Sequence, residues 1–295
     1  MEQFLQQIIN GISLGSIYAL IALGYTMVYG IINLINFAHG DVYMIGAYIG
    51  YYCMTFLKLG FLPSLVIAMV ICTLLGIAIE KIAYKPLRNS PRIAVLITAI
   101  GVSLFIEYAT MFIVSANVRS YPQITEGLLA QSFKVGNITI TAQQVIILVV
   151  TVILMVLLQF IVKKTRIGKA MRAVSLDKDA AELMGINVNT TISFTFALGS
   201  ALAGAAGVLV GLYYSSINPF MGVMPGLKAF VAAVFGGIGI IPGAMVGGYC
   251  IGMVEVLVSG YGNSKFRDAV VFAILILILI VKPAGLFGKN TREKV

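Results

Sequence analysis

Long apolar runs separated by short polar breaks make up almost the whole of this 295-residue chain. The first covers about residues 8–32, and after a broken polar stretch a second continues to about Phe56. Further runs cover about 62–83, 93–115, 145–162 and 192–214. Most are near the ~20 residues an α-helix needs to cross a hydrocarbon core. Three shorter pieces follow, at 227–241, 244–258 and 269–281. The first of these is interrupted at Gly236, Gly237 and Gly239 and again at Pro242-Gly243. It reads as a broken crossing or a re-entrant half-helix. Between the fourth and fifth runs lies a polar segment, about 116–144. Apolar and polar residues alternate there from Phe133 to Ile140, which predicts a short hairpin or strand.

Composition sharpens this picture. Hydrophobic residues make up 60% of the chain and charged ones only 11%, against roughly 25% charged in soluble proteins. The expected fold is an all-α polytopic integral membrane protein, a single domain over 1–295, with broken or re-entrant segments. The start, Met1-Glu2-Gln3, lacks the basic region of a secretory signal, so the first run reads as a retained span. Cys53, Cys72 and Cys250 lie scattered in apolar segments and read as small buried hydrophobes.

The net charge of +9 raises nucleic acid as a partner, and its placement argues against one. Most of the 20 basic residues fall in three clusters beside apolar runs. These are Lys81 to Arg92, Lys163 to Lys178, and Lys282 to Lys294. Basic residues flanking spans set orientation, with the positive loops inside. Placing all three inside gives about nine transmembrane helices, within a range of eight to ten, N-out and C-in. The segment 116–144 is then external and the loop 163–190 cytoplasmic. Eight crossings would leave the basic tail outside.

Glycines spaced four apart, at Gly11/Gly15, Gly46/Gly50, Gly207/Gly211, Gly243/Gly247 and Gly248/Gly252, predict close helix packing. Soluble chemistry finds little support. No phosphate-binding G-x-x-x-x-G-K-[ST] loop occurs, and His39 is the only histidine. Triads and histidine metal sites are therefore unsupported, and no cofactor is expected in the chain. Polar groups within apolar stretches are costly unless they line a cavity or pair. Asn33, Asn36, His39 and Asp41 fall in the first break, with a second near Asn218-Pro219. Paired interruptions of this kind point to a translocation path. The alternative is an ordinary turn in which His39 and Asp41 pair locally. Glu107 and Glu255 lie within spans, as proton relays or as neutral or paired groups, while Glu80 and Lys81 are expected to snorkel at a helix end.

The charged island from Arg166 to Asn187 remains. Leu176 to Met184 is made mostly of good helix formers. Ala180, Leu183 and Met184 share one face, and Gly185 is placed to close the helix in a left-handed cap. An acidic polar face disfavours anionic lipid, so the apolar stripe reads as a docking surface for a partner.

Asp179-Ala180-Ala181, followed after three residues (Glu182, Leu183, Met184) by Gly185, resembles the EAA-x-x-x-G signature of ABC importer permeases. Asp179 replaces the usual Glu, and the Ile-x-Leu-Pro tail of that signature is missing. Three segments are similar to permeases that import branched-chain amino acids, the LivH type. They are GISLGSIYALIALGYTMVYGIINLINFAHGDVYMIGAY, TRIGKAMRAVSLDKDAAELMGINV and FVAAVFGGIGIIPGAMVGG. Sugar permeases of the ribose type share the GIN-V-N element and the late Gly-Gly block. The resemblance implies a transport subunit of a bacterial cytoplasmic membrane that is not itself an enzyme. It implies ATP and Mg bound by two separate ATP-binding subunits, a second related permease, an extracytoplasmic substrate-binding protein and surrounding lipid. Other small solutes, or an ion-coupled carrier using Glu107 or Glu255, are the alternatives.

Overall fold

The computed structural model describes residues 2–32, 34–88, 90–122, 131–136 and 138–288. Two helices form the centre. α1 (Glu2–Ile32) and, later in the chain, α8 (Val188–Tyr214) are apolar on every side and buried along most of their length. A helix with no polar face must be surrounded. α2 (His39–Thr55) and α3 (Phe61–Ile79) pack on α8, and α9 (Val223–Gly236) and α10 (Ile241–Tyr261) pack on α1. α4 (Arg92–Val114), α5 (Ala142–Lys164) and α11 (Arg267–Val281) lie outside them. The outer helices turn Phe105, Phe112, Phe160 and Ile280 outward, the composition expected where lipid is the solvent.

Among the described residues, six helical stretches are long and apolar enough to cross a membrane: Glu2–Ile32, Phe61–Leu87, Arg92–Val114, Ala142–Lys164, Val188–Tyr214 and Ile241–Tyr261. α2, α9 and α11 are shorter, at 17, 14 and 15 residues. They correspond to the broken or short runs of the sequence. α6 (Arg166–Leu176) and α7 (Lys178–Leu183) occupy the charged island.

Helix contacts are close where glycines allow them. A Cβ on Gly252 would strike the Gly15 backbone, and one on Gly248 would strike Ala19. Gly46 meets Gly204 backbone to backbone across α2 and α8. The glycine pairs read from the sequence thus lie on helix contacts, as packing requires. The predicted hairpin also forms: β2 (Ser132–Val135) pairs antiparallel with β3 (Ile138–Thr141). A second small pairing joins β1 (Arg119–Ser120) to β4 (Ser216–Ile217).

Contacts sort the segments to two ends of the bundle. At one end Gln6 donates to the Thr139 carbonyl, Gln144 donates to Asn10, β1 meets β4, and Gly260 lies against Gln7. At the other, Gly30 meets Gly239, Arg88 reaches Asn189, and the Leu286 amide bonds to Phe235.

One sequence reading is corrected. Glu80 does not snorkel at a helix end. α3 widens into a π turn over Glu80–Tyr84, which carries Glu80 inward until none of it is exposed. There it ion-pairs with Arg88 and accepts a 2.6 Å hydrogen bond from Ser193 of α8. A buried carboxylate needs such partners, and the extra residue of a π turn aims it at them. Lys81 is exposed.

Candidate functional site

The first helix break turns the chain back into the bundle. After α1 ends at Ile32, residues 34–38 are non-helical, and α2 starts at His39, which packs against Gly24 of α1. Gly24 is about two turns inside the C-terminal end of α1. The backbone of the break is satisfied locally: His39 N–H bonds to the Asn36 carbonyl, and those of Asp41 and Val42 to that of Ala38. Non-helical backbone at such depth is tolerated only when buried in protein or lining a cavity.

A second chain reversal meets the first. After β4, Asn218 accepts a 3.0 Å bond from the Phe220 amide and shapes the turn into α9. Gly222, just before α9, touches the backbone of Gly40 in the first turn of α2, and Gly226 packs there too. The Gly222 contact requires that no Cβ be present, and at Gly226 a Cβ would be tight. The N-termini of two short helices therefore converge inside the bundle, each a positive dipole end.

Between these ends and α4 lies a cavity of about 180 Å³. Asp41 lines it and accepts a hydrogen bond from Ser103 of α4. Ser103 sits midway along α4, about 16 Å from either end. Glu107, one turn further on, is 4% exposed, and its Oε1 has no hydrogen-bond partner among the described residues. Tyr25, Phe37, Ile100, Leu104 and Leu227 supply apolar walls.

The residues singled out in the sequence distribute unevenly around this cavity. Asp41 lines it. Asn36 is buried but is not part of its lining, its Oδ1 accepting a 3.0 Å bond from Tyr84. His39 is buried against α1, edge-on to Tyr25 with ring centroids 4.8 Å apart, and its Nε2 has no hydrogen-bond partner among the described residues. The local His39–Asp41 pairing is not what forms, because Asp41 turns instead to α4. Asn218 holds the turn before α9, and Asn33 lies outside the described residues. Ser103, Gly222 and Gly226 gave no sequence signal, since an isolated Ser or Gly in an apolar run reads as packing.

The charged island forms two helices rather than one. Asp177 adopts an extended conformation, ending α6 and capping α7 by accepting from the amides of Asp179 and Ala180. Gly185 has φ +80°, the left-handed cap expected. Its amide bonds to Glu182 and that of Ile186 to Ala181, the paired closure of a Schellman ending. Ala181 is buried, whereas Asp179, Ala180, Glu182 and Gly185 are exposed. Leu183 and Met184 are 89% and 82% exposed. The apolar stripe thus faces outward at the same end as Arg88 and Asn189.

Glu255 is paired, the quieter of the readings open to it. Lys228 Nζ lies 2.6 Å from its Oε1 and 2.7 Å from Asp268 Oδ1, and Tyr18 donates a 2.7 Å bond to Oε2. The network ties α1, α9, α10 and α11 together. Lys228 was legible only as a lone basic residue in an apolar run.

The family described as "Branched-chain amino acid transport system / permease component" matches residues 7–279. The high-affinity branched-chain amino acid transport system permease protein LivH of Escherichia coli K12 is 45% identical, covering 99% of this chain and 98% of its own. The corresponding protein BraD of Pseudomonas aeruginosa is 42% identical with the same coverage. PsaBC from Streptococcus pneumoniae, solved in complex with Fab, shares the fold: TM-score 0.50 at 12% identity, covering 97% of this chain and 94% of that one.

Proposed function

Since the chain belongs to the family of branched-chain amino acid transport permeases, we propose that it is one membrane subunit of an ATP-driven importer carrying branched-chain amino acids inward. Two ATP-binding subunits, a second permease and an external binding protein complete the machine. The observation that carries this reading is the exposed Leu183–Met184 stripe on a helix capped at both ends. So much apolar surface on a short surface helix calls for a partner.

The end-to-end sorting of contacts supports nine crossings, N-out and C-in, with α2, α9 and α11 as short ones. The basic clusters then put α7 in the cytoplasm, where ATP-binding subunits would dock. Docking biases the bundle only through contacts that differ between its inward- and outward-open forms. The break at Asn33 to Asp41 and the turn at Asn218 would border the route, with Asp41 at its wall.

The test replaces Leu183 and Met184 with Asp together. Both side chains are exposed and not needed for folding, so the permease should still reach the membrane. Co-purified ATP-binding subunit should fall at least ~tenfold, as expected when charge is forced into an apolar contact. Undiminished co-purification with normal uptake would rule out α7 as the coupling helix.

A further inference from the structure

The cavity where the two helix N-termini meet has an unbalanced chemistry. Asp41 and Glu107 both line it, and none of its lining residues is basic. The bundle's buried lysine, Lys228, is engaged elsewhere with Glu255 and Asp268. Asp41 has a donor in Ser103, but Glu107 Oε1 is buried with no partner among the described residues. A buried carboxylate oxygen with an open lone pair is a vacancy for a donor.

A cation with several N–H donors suits it better than a bare metal ion. Hard divalent ions take six or more oxygens, and among the described residues no group of three potential ligands assembles. The remaining walls are hydrocarbon: Ile100, Leu104, Val223 and Leu227. At about 180 Å³ the space is below the roughly 300–1,000 Å³ of sites for larger ligands. Beside Asp41, whose Oδ1 lies next to Gly222, the first turn of α9 is presented by Gly222 and Val223, a helix end that favours an anion.

We infer that this cavity is a transit site for a zwitterionic aliphatic amino acid: Glu107 and Asp41 receive the ammonium group, the first turn of α9 faces the carboxylate, and Leu104 with Ile100 contacts the hydrocarbon side chain. This rests on the importer reading and adds a selective step to it, inside the membrane and after the binding protein has let go. The site carries few polar contacts, which suits a station that must release its occupant in either direction.

The test uses the assembled complex in lipid nanodiscs without the binding protein, with a photoactivatable diazirine analogue of L-leucine as probe. Crosslinks are expected on the α4 peptide holding Ile100 and Leu104. Excess L-leucine should compete with them, and 4-methyl-2-oxopentanoate should not, because it keeps the hydrocarbon and carboxylate but lacks the ammonium. Glu107→Gln should cut labelling at least ~tenfold, the loss of a charge-assisted hydrogen bond, and Glu107→Asp should recover part of it. In proteoliposomes, Leu104→Phe should shift uptake toward alanine over leucine by roughly tenfold, as a filled apolar pocket discriminates by size. A folding defect would lower both solutes equally. Labelling absent from the wild type, competed equally by the keto acid, or unchanged in Glu107→Gln overturns the site. The importer reading is judged separately, by whether loaded binding protein stimulates ATP hydrolysis in the wild-type complex.

Discussion

Replacing Gly252 with leucine is expected to leave almost no folded protein. Gly252 of α10 lies against the N and Cα atoms of Gly15, and Gly248, one turn earlier, lies against Ala19. These are backbone atoms of the central helix, and they cannot rotate aside as a side chain can. A leucine there must push α1 and α10 apart along a seam that also includes Gly11 and Met253. Overpacking a yielding core costs about 1–3 kcal/mol, and a backbone-on-backbone contact belongs at or beyond the top of that range. Within a membrane no general hydrophobic force restores the contact once it is lost, because packing is itself the driving force. Gly101 supplies the control. It sits on exposed α4 with nothing within 4 Å of an added Cβ, so Gly101→Leu should be neutral or slightly stabilising through helix propensity. The measurement is recovery of monodisperse protein by size-exclusion in mild detergent. A Gly252→Leu protein that elutes and melts like wild type would show that the α1–α10 seam is not close-packed.

Lys228→Met should be the second most damaging single change, and its damage should be partly reversible. The network holds two cations, Lys228 and Arg267, and two carboxylates, Glu255 and Asp268. Methionine preserves most of the lysine volume but leaves Glu255 buried with the Tyr18 hydroxyl and a more distant Arg267, whose Nε is 3.7 Å away. Removing one partner of a buried pair costs about 3–5 kcal/mol, chiefly from the stranded charge. The double variant Lys228→Met with Glu255→Gln leaves Arg267 and Asp268 balanced, so it should regain a large share of that loss. Glu255→Gln alone should cost less than Lys228→Met, because Lys228 keeps Asp268, which is partly exposed. A double-mutant cycle on thermal unfolding measures the coupling. Additive losses in the double variant would mean the groups do not act as a pair.

Which parts of this molecule could be read without coordinates follows from how each part is held. The central helices, the hairpin and the Gly185 cap were legible because local rules govern them: apolar length, two-residue alternation, and a glycine where φ is positive. The buried station of Glu80 was not, because it depends on a π turn in α3 and on Ser193, more than a hundred residues away. Asp41 was legible as a polar residue in an apolar setting. Its partner Ser103 was not, since a serine inside a span most often bonds to its own helix. His39 was legible as a polar residue in the first break, but its seat in the notch at Gly24 was not, because that depends on how α2 packs on α1. Lys228 and Glu255 carried half a signal each, and only the fold brings them within 2.6 Å.

The double capping of α7 has a mechanical consequence. Asp177 closes one end and Gly185 the other, through bonds made entirely within the segment. Such a helix is closed at both ends by its own bonds, so a partner docking there would spend little binding energy on ordering it. Ala181, buried at its inner face, gives it a fixed footing beside α8, the helix against which α2 and α3 pack. If α7 is the docking helix proposed above, a push on it would meet a stiff handle rather than a slack tether, and displacement applied at its tip would arrive at the bundle as torque.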